Sequence, residues 1–171
     1  MAIETDGSSS ARHSARDYTH LDDEVLQWVT FDLEGETYGV DVMVVREVLR
    51  FEEVAPVPGA PDYVLGIINI RGAVISVIST RRRFGLPQTE ADDNSRIMIV
   101  EIGDYTIGIV VDSVAEVVYL KQSDIESTPN AGQDDASRFI QGVCKRGEQL
   151  LILLDLEKML TREELAEIDQ Q

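Results

Sequence analysis

Arg71 is the residue whose type and position point most directly to binding chemistry. It is the single charged side chain in residues 66–80, GIINIRGAVISVIST, and Gly72 follows it. A guanidinium presents a planar fork of donors that matches carboxylates. Two β-branched runs with a bend at 69–72 predict a hairpin with this arginine at its tip. The stretch therefore predicts recognition of a partner, although turn chemistry alone also accounts for a charge at a bend.

The residue types that most enzymes and metal sites need are scarce. The chain has two histidines, His13 and His20, and one cysteine, Cys144. It contains no Gly-Lys-Ser/Thr phosphate loop, no His-Glu-x-x-His and no Gly-x-Ser-x-Gly. Pairs of acids could serve a carboxylate hydrolase, but an acidic protein offers such pairs by chance. We therefore expect no catalytic residue, no metal site and no cofactor.

The charge balance argues against several classes of partner. With 15 Lys and Arg against 32 Asp and Glu, the formal net charge is -17. Such a surface repels phosphate backbones and anionic lipid, so we expect neither nucleic-acid binding nor membrane insertion. The Arg81-Arg82-Arg83 run is more typical of a solvated strand end paired with local acids. A lone cysteine without a recognisable signal peptide indicates the cytoplasm.

Alternating apolar residues predict a chain built mainly of short strands. Asp41 is placed to cap a short helical turn, and Asp112 follows the corresponding strand of the second half, which predicts the same role for both. A loop with three prolines over 54–61 is neither helix nor central strand. The predicted extended segments are 25–33, 37–40, 47–51, 63–80 with its bend, 96–102, 105–111, 114–120 and 139–156 with its bend.

Matching glycines reveal an internal repeat. The equivalent residues are separated by 68 to 76 positions, drifting where the loops differ in length. Units of about 70 residues are marginal alone, so we expect two small barrels, or a sandwich, that share apolar surface. Exchange of strands between the barrels is left open. The paired positions are Gly35 and Gly103, Gly39 and Gly108, Asp41 and Asp112, Gly66 and Gly142, and Gly72 and Gly147.

The two ends of the chain differ in character. The N-terminal end is polar and lacks periodicity, which predicts a disordered tail. At the C-terminal end, Thr161 and Glu164 have the spacing of a capping box and precede Leu165 and Ile168, which predicts an amphipathic helix. The predicted boundaries are a tail over 1–23 and one ordered domain over 24–168, made of a first repeat over 24–87, a second repeat over 95–156 and a helix over 157–168.

Four motifs in order give the ordered part a family resemblance. They are YGVDVMVVREVLR, APDYVLGIINIRGAVISVI, TIGIVVDSVAEVV and LLILLDLEKML. Together they resemble the CheW family of bacterial chemotaxis coupling proteins. The resemblance implies two five-stranded SH3-like barrels without catalysis. It also implies an adaptor that joins the cytoplasmic tips of methyl-accepting chemoreceptors to the regulatory domain of the histidine kinase CheA, in rings within membrane-associated arrays.

The resemblance also implies where receptors bind, in a groove between the barrels. This chain departs from many relatives at Ser76, where they have proline, and at Ser79-Thr80, where they have Asp-Leu. Serine restores a strand donor that proline lacks, and the missing acid removes a partner for Arg81 or Arg82. The implied receptor-binding residues are Val45, Glu47, Gly66, Asn69, Arg71 and Gly72.

Three other functions stay open at the level of sequence. The nearest is a CheW homologue that serves a non-flagellar system, controlling pili or a second messenger. A ligand-binding β-barrel for oligosaccharide or nucleic acid is more remote, because aromatic residues make up only 6% of the chain and stacking platforms need more. A small carboxylate hydrolase is the third.

Overall fold

Ten strands dominate the computed structural model of this chain, which describes residues 24–127 and 136–169. The mainly β fold predicted from the alternating pattern is confirmed. The predicted tail over 1–23, with both histidines, lies outside the described residues. The strands are β1 Val25–Leu33, β2 Glu36–Asp41, β3 Val45–Arg50, β4 Val64–Ile70, β5 Ala73–Ser79, β6 Arg96–Ile102, β7 Tyr105–Val111, β8 Ser113–Lys121, β9 Ile140–Arg146 and β10 Gln149–Leu154.

Helices are short and few in the described part of the chain. The α-helices are α1, Thr80–Arg83, and α2, Arg162–Asp169. The 3-10 helices are Val42–Val44, Gln122–Asp124, Ala136–Phe139 and Leu156–Lys158.

Each sheet takes strands from both halves of the chain. Sheet A has the strand order β8-β1-β2-β10-β9, and sheet B has the order β3-β6-β7-β5-β4. Two parallel pairs join the halves. In sheet A, Leu151 of β10 lies opposite Thr37 of β2. In sheet B, Ser76 of β5 lies opposite Ile107 of β7. The exchange of strands that the sequence left open is therefore present.

Neither sheet closes into a fully hydrogen-bonded barrel. Among the described strands, no ladder joins β8 to β9 in sheet A or β3 to β4 in sheet B. One bridge lies at an edge of each: Ala55 pairs with Ile67 of β4, and Glu126 pairs with Val143 of β9. Each sheet nevertheless curls around an apolar cluster of its own. The five-stranded units of the predicted fold are thus curled sheets with open edges.

Both faces of the sheets carry apolar side chains, and the strand period of two sorts them into separate cores. Along β6, Ile97 and Ile99 point into the interior of sheet B, whereas Met98, Val100 and Ile102 enter a core shared with sheet A. Full burial of one such side chain contributes about 1.5–3 kcal/mol. The shared core also contains Val29, Phe31, Leu33, Val40, Ile78, Ile107, Ile109, Phe139 and Leu154.

The arginine run forms α1, and its first member ties the two sheets together. Arg81 donates through Nε and a terminal nitrogen to the two carboxylate oxygens of Asp112, at 3.1 and 2.7 Å, and to Glu34 at 2.5 Å. Its side chain is only 11% exposed. The predicted pairing with local acids is thus confirmed. The prediction of a solvated strand end is wrong for Arg81, whose side chain is largely buried. Its two carboxylate partners compensate the free-energy cost of burying the charge.

The repeated aspartates have different roles, so the prediction of a common cap is wrong. Asp41 caps the 3-10 helix Val42–Val44 and accepts from the N–H of Met43 at 2.9 Å. Asp112 instead accepts from Arg81 and from the N–H of Glu34. Ser79, at the position of the missing family acid, caps α1 by accepting from the N–H of Arg82.

The C-terminal helix is fixed at both ends. The predicted capping box is present: the N–H of Thr161 donates to Glu164 at 2.8 Å, and the N–H of Glu164 donates to the Thr161 hydroxyl at 3.0 Å. Arg83 donates to Glu164 at 2.8 Å and stacks on the ring of Tyr63. Burial, reinforced by the carboxylate of Glu164, raises the pKa of Tyr63 to about 12. At the other end, the Ser76 hydroxyl donates to the carbonyl of Ile168 at 3.3 Å.

We expect Arg81→Ala to lower the free energy of unfolding by about 2 kcal/mol, because it leaves Asp112 and Glu34 close together without their cation. Urea unfolding followed by tryptophan fluorescence measures the change. The matched control is Arg82→Ala, since Arg82 is 46% exposed and lies 3.6 Å from a solvent-exposed Asp62. The control should change stability by less than about 0.5 kcal/mol. Equal losses in both variants would contradict the assigned role of Arg81.

Candidate functional site

A tight turn places Arg71 at the tip of the β4–β5 hairpin. Ile70 pairs with Ala73, so Arg71 and Gly72 alone form the loop, with φ of +51° and +89°. Two positive φ values are typical of the type I′ hairpin turn. The Asn69 side chain accepts from the N–H of Gly72 at 3.0 Å and fixes the bend. Asparagine or glycine fits such a φ better than arginine does, so turn chemistry does not explain the choice of Arg71.

Arg71 forms an ion pair with Glu47 of β3. Strands β3 and β4 are the two edges of sheet B, so this contact joins the hairpin tip to the opposite edge of the curled sheet. The arginine side chain is 73% exposed, and the glutamate is about one-third exposed. Two residues that the family resemblance assigned to receptor contact are thus in direct contact, and both are accessible.

Gly66 and Val45 differ from the residues at the tip. Gly66 is buried near the start of β4 with φ of +152°, and a Cβ there would overlap the carbonyl of Ala55. Its neighbour Ile67 exchanges two backbone hydrogen bonds with Ala55, at 2.8 and 3.0 Å. A glycine is therefore required for close backbone packing. Val45 is half-buried against the shared core. Of the six predicted site residues, the structure brings together Glu47, Asn69, Arg71 and Gly72.

Sequence reasoning missed several side chains on and around β3 and the hairpin. Arg46 donates to Glu101 at 2.6 Å, which adds a second exposed ion pair to β3. Met43 is 82% exposed, and Val74, opposite Asn69 in the hairpin, is 60% exposed. No sequence signal marked Val74 as exposed, because Ser76 and Ile78, on the same face of β5, are buried. No sequence signal marked Met43 either, because its exposure depends on the orientation of a 3-10 helix.

This arrangement suits recognition of another macromolecule. Within residues 24–127 and 136–169, no group of three or more His, Cys, Asp or Glu side chains could hold a metal ion. The described helices include none that is long and apolar enough to span a membrane. An exposed guanidinium and exposed apolar side chains are the groups that protein interfaces favour.

A family model described as a CheW-like domain matches residues 27–164. The chain belongs to the CheW-like family. The chemotaxis protein CheW of Treponema pallidum is 34% identical over 160 residues, covering 91% of this chain and 94% of that protein. The chemotaxis protein CheW of Klebsiella aerogenes is 32% identical over 143 residues, covering 84% and 86%.

A solved structure gives the same result. The crystal structure of the scaffolding protein TtCheW from Thermoanaerobacter tengcongensis matches with a TM-score of 0.73 and 34% sequence identity, covering 80% of this chain and 92% of that one. CheW-like proteins are chemotaxis scaffolding and adaptor proteins, and none of the three relatives named here carries an enzyme's name. The chain is therefore a CheW-like scaffolding or adaptor protein.

We expect Gly66→Ala to destabilise this CheW-like protein by about 3 kcal/mol, because the added methyl group must displace the backbone of Ala55. Gly72→Ala, in the turn that follows the same strand, is the matched control. A Cβ at Gly72 meets no atom within 4 Å, so only the positive φ costs free energy, about 1 kcal/mol. Thermal unfolding of the two variants tests the difference. A Gly66→Ala variant as stable as Gly72→Ala would refute the packing role.

Proposed function

We propose that this chain is a non-catalytic adaptor that couples the cytoplasmic tips of methyl-accepting chemoreceptors to the histidine kinase CheA. Membership of the CheW-like family supports the class of function. The observation that carries the receptor site is the exposed ion pair of Arg71 and Glu47. Both residues stand at positions that the family resemblance assigns to receptor contact.

The energetics of this pair favour binding over stability as its role. An exposed ion pair contributes about 0–1 kcal/mol to folding. A non-glycine residue at positive φ costs about 1 kcal/mol, so Arg71 brings little or no net stability. Glu47 holds one edge of the guanidinium and limits its rotamers before a partner arrives, which lowers the entropic cost of binding. The outer edge of the planar fork is left to donate to a receptor carboxylate or carbonyl.

Two exposed apolar residues, one in the hairpin and one just before β3, extend the proposed surface. Val74 lies across the hairpin from Asn69, and Met43 is exposed beside the start of β3. Hot spots commonly combine an arginine with apolar contacts that exclude water. We therefore assign receptor contact to Glu47, Asn69, Arg71 and Gly72, with Val45 supporting β3 and Gly66 holding β4 in place.

The kinase contacts belong at the ends of the curled sheets, against the regulatory domain of CheA. In this proposal the adaptor works in the cytoplasm, recruited to membrane-associated receptor arrays, and can form rings with the kinase. A homologous role in a non-flagellar system is the rival. Pull-down from native lysate, with receptor and kinase identified by mass spectrometry, distinguishes the two.

We expect Arg71→Ala to weaken receptor binding by about 30-fold, the equivalent of ~2 kcal/mol, while the melting temperature changes by no more than a few degrees. Arg71→Lys should recover only part of the affinity, because a point charge lacks the planar fork. Titration of each variant with a receptor cytoplasmic fragment measures the affinity, and binding to CheA should be unchanged.

Glu47→Gln is the companion variant. It keeps the shape of the side chain but removes the charge that orients Arg71, so we expect an intermediate loss of receptor affinity. Full receptor affinity in Arg71→Ala would remove Arg71 from the site. A large drop in its melting temperature would assign the residue a structural role instead.

A further inference from the structure

The second repeat carries a counterpart of the Arg71–Glu47 pair. Arg146 precedes Gly147 as Arg71 precedes Gly72, and Glu116 lies in β8, the strand that corresponds to β3. A terminal nitrogen of Arg146 lies 3.9 Å from a carboxylate oxygen of Glu116, and both side chains are well exposed. The repeat has thus placed the same two charges at the equivalent edges of sheet A, but in looser contact.

The region next to the arginine–glutamate pair differs between the two sheets. In sheet B, Leu49, Phe51 and Ile70 are partly buried and pack on the interior cluster. In sheet A, an open cleft of about 950 Å³ includes side chains from β8 and β9. Its volume falls within the range of binding clefts. Its lining includes Glu116, Tyr119, Asp124, Glu126, Lys145 and Arg146.

The charges of this cleft are separated along its length. Lys145 and Arg146 stand at the hairpin end, beside Glu116. At the far end lie Asp124 and Glu126, where Glu126 bridges to β9. Glu116 and Leu120, the last residue but one of β8, are about 13 Å apart at the usual rise of a strand. An occupant with opposite charges about four residues apart would therefore fit in one direction only.

One long side of the cleft is a strand edge. In the described part of the chain, β8 pairs with β1 and with no other strand. An edge strand presents unpaired N–H and C=O groups that can accept a further strand. Tyr119 lies in the same wall and is 66% exposed, which offers an apolar surface to an occupant.

We propose that this cleft binds an extended segment of a partner protein, which adds to sheet A antiparallel to β8. A basic residue at the N-terminal end of the segment meets Asp124 and Glu126. An acidic residue four positions later meets Arg146, which leaves its loose contact with Glu116. Apolar residues between them lie against Tyr119. The inference rests on the geometry of sheet A and is independent of the receptor contact proposed for Arg71.

The probe is the pentapeptide Lys-Val-Thr-Val-Glu with blocked termini, titrated into the full ¹⁵N-labelled protein. We expect saturable amide shifts confined to β8, β9 and the turn between β9 and β10, with Kd at or below about 1 mM. Arg146→Glu should weaken binding at least about tenfold, and Lys-Val-Thr-Val-Lys should restore it to that variant. Arg50→Glu, an exposed arginine on β3, is the matched control and should bind as the wild-type protein does.

Two further peptides test the mode of binding. The reversed sequence Glu-Val-Thr-Val-Lys should bind several-fold more weakly, because antiparallel pairing would place each charge at the wrong end. A peptide N-methylated at both valines should not bind, because it lacks the main-chain donors. Absence of shifts at β8 and β9, or equal binding of the N-methylated peptide, would overturn the proposal. Dissociation of a dimer of this protein on addition of the peptide would also overturn it, because a second copy of the chain would then be the occupant. Loss of receptor affinity in Arg146→Glu would contradict the independence of the two surfaces.

Discussion

The apolar core shared between the two curled sheets is the interaction on which the rest of the structure depends. Each sheet has apolar residues on both faces. Curling buries one face inside the sheet, and packing against the other sheet keeps water from the second face. Phe31 from sheet A and Met98 from sheet B are both fully buried in this common layer. The clamp of Arg81 and the docking of α2 lie against the same layer. The relative position of every exposed edge is set by it.

Local chemistry was readable in the sequence, and non-local pairing was not. The hairpin around Arg71, the cap at Asp41 and the capping box at Thr161 follow from residues close together in the chain, which is why they were predicted. The parallel pairing of β10 with β2 joins residues more than one hundred positions apart. No turn residue or period marks that pairing, so the repeat predicted units without predicting how they exchange strands.

The candidate site shows the same division. The type and exposure of Arg71 could be inferred from its place in an apolar hairpin, but its pairing with Glu47 depends on how far sheet B curls. The repeat marked Gly66 as a paired glycine but did not show why glycine is needed there. The reason, a crossing of the 54–61 loop against β4, is visible only when Ala55 is placed. The burial of Arg81 was missed because Asp112 and Glu34 are distant in sequence.

The exchange of strands also sets the order in which the two sheets can form during synthesis. Sheet B can form once β7 has emerged from the ribosome, because all five of its strands are then available. Sheet A can be completed only after β10 has emerged, because β10 lies between β2 and β9. Until then β2 exposes an unpaired edge, and the apolar layer lacks Leu154 and the residues that follow it. A chain that stalls or is cut before β10 would present a template for aggregation. The last strands to emerge therefore cover this aggregation-prone edge as well as complete the fold.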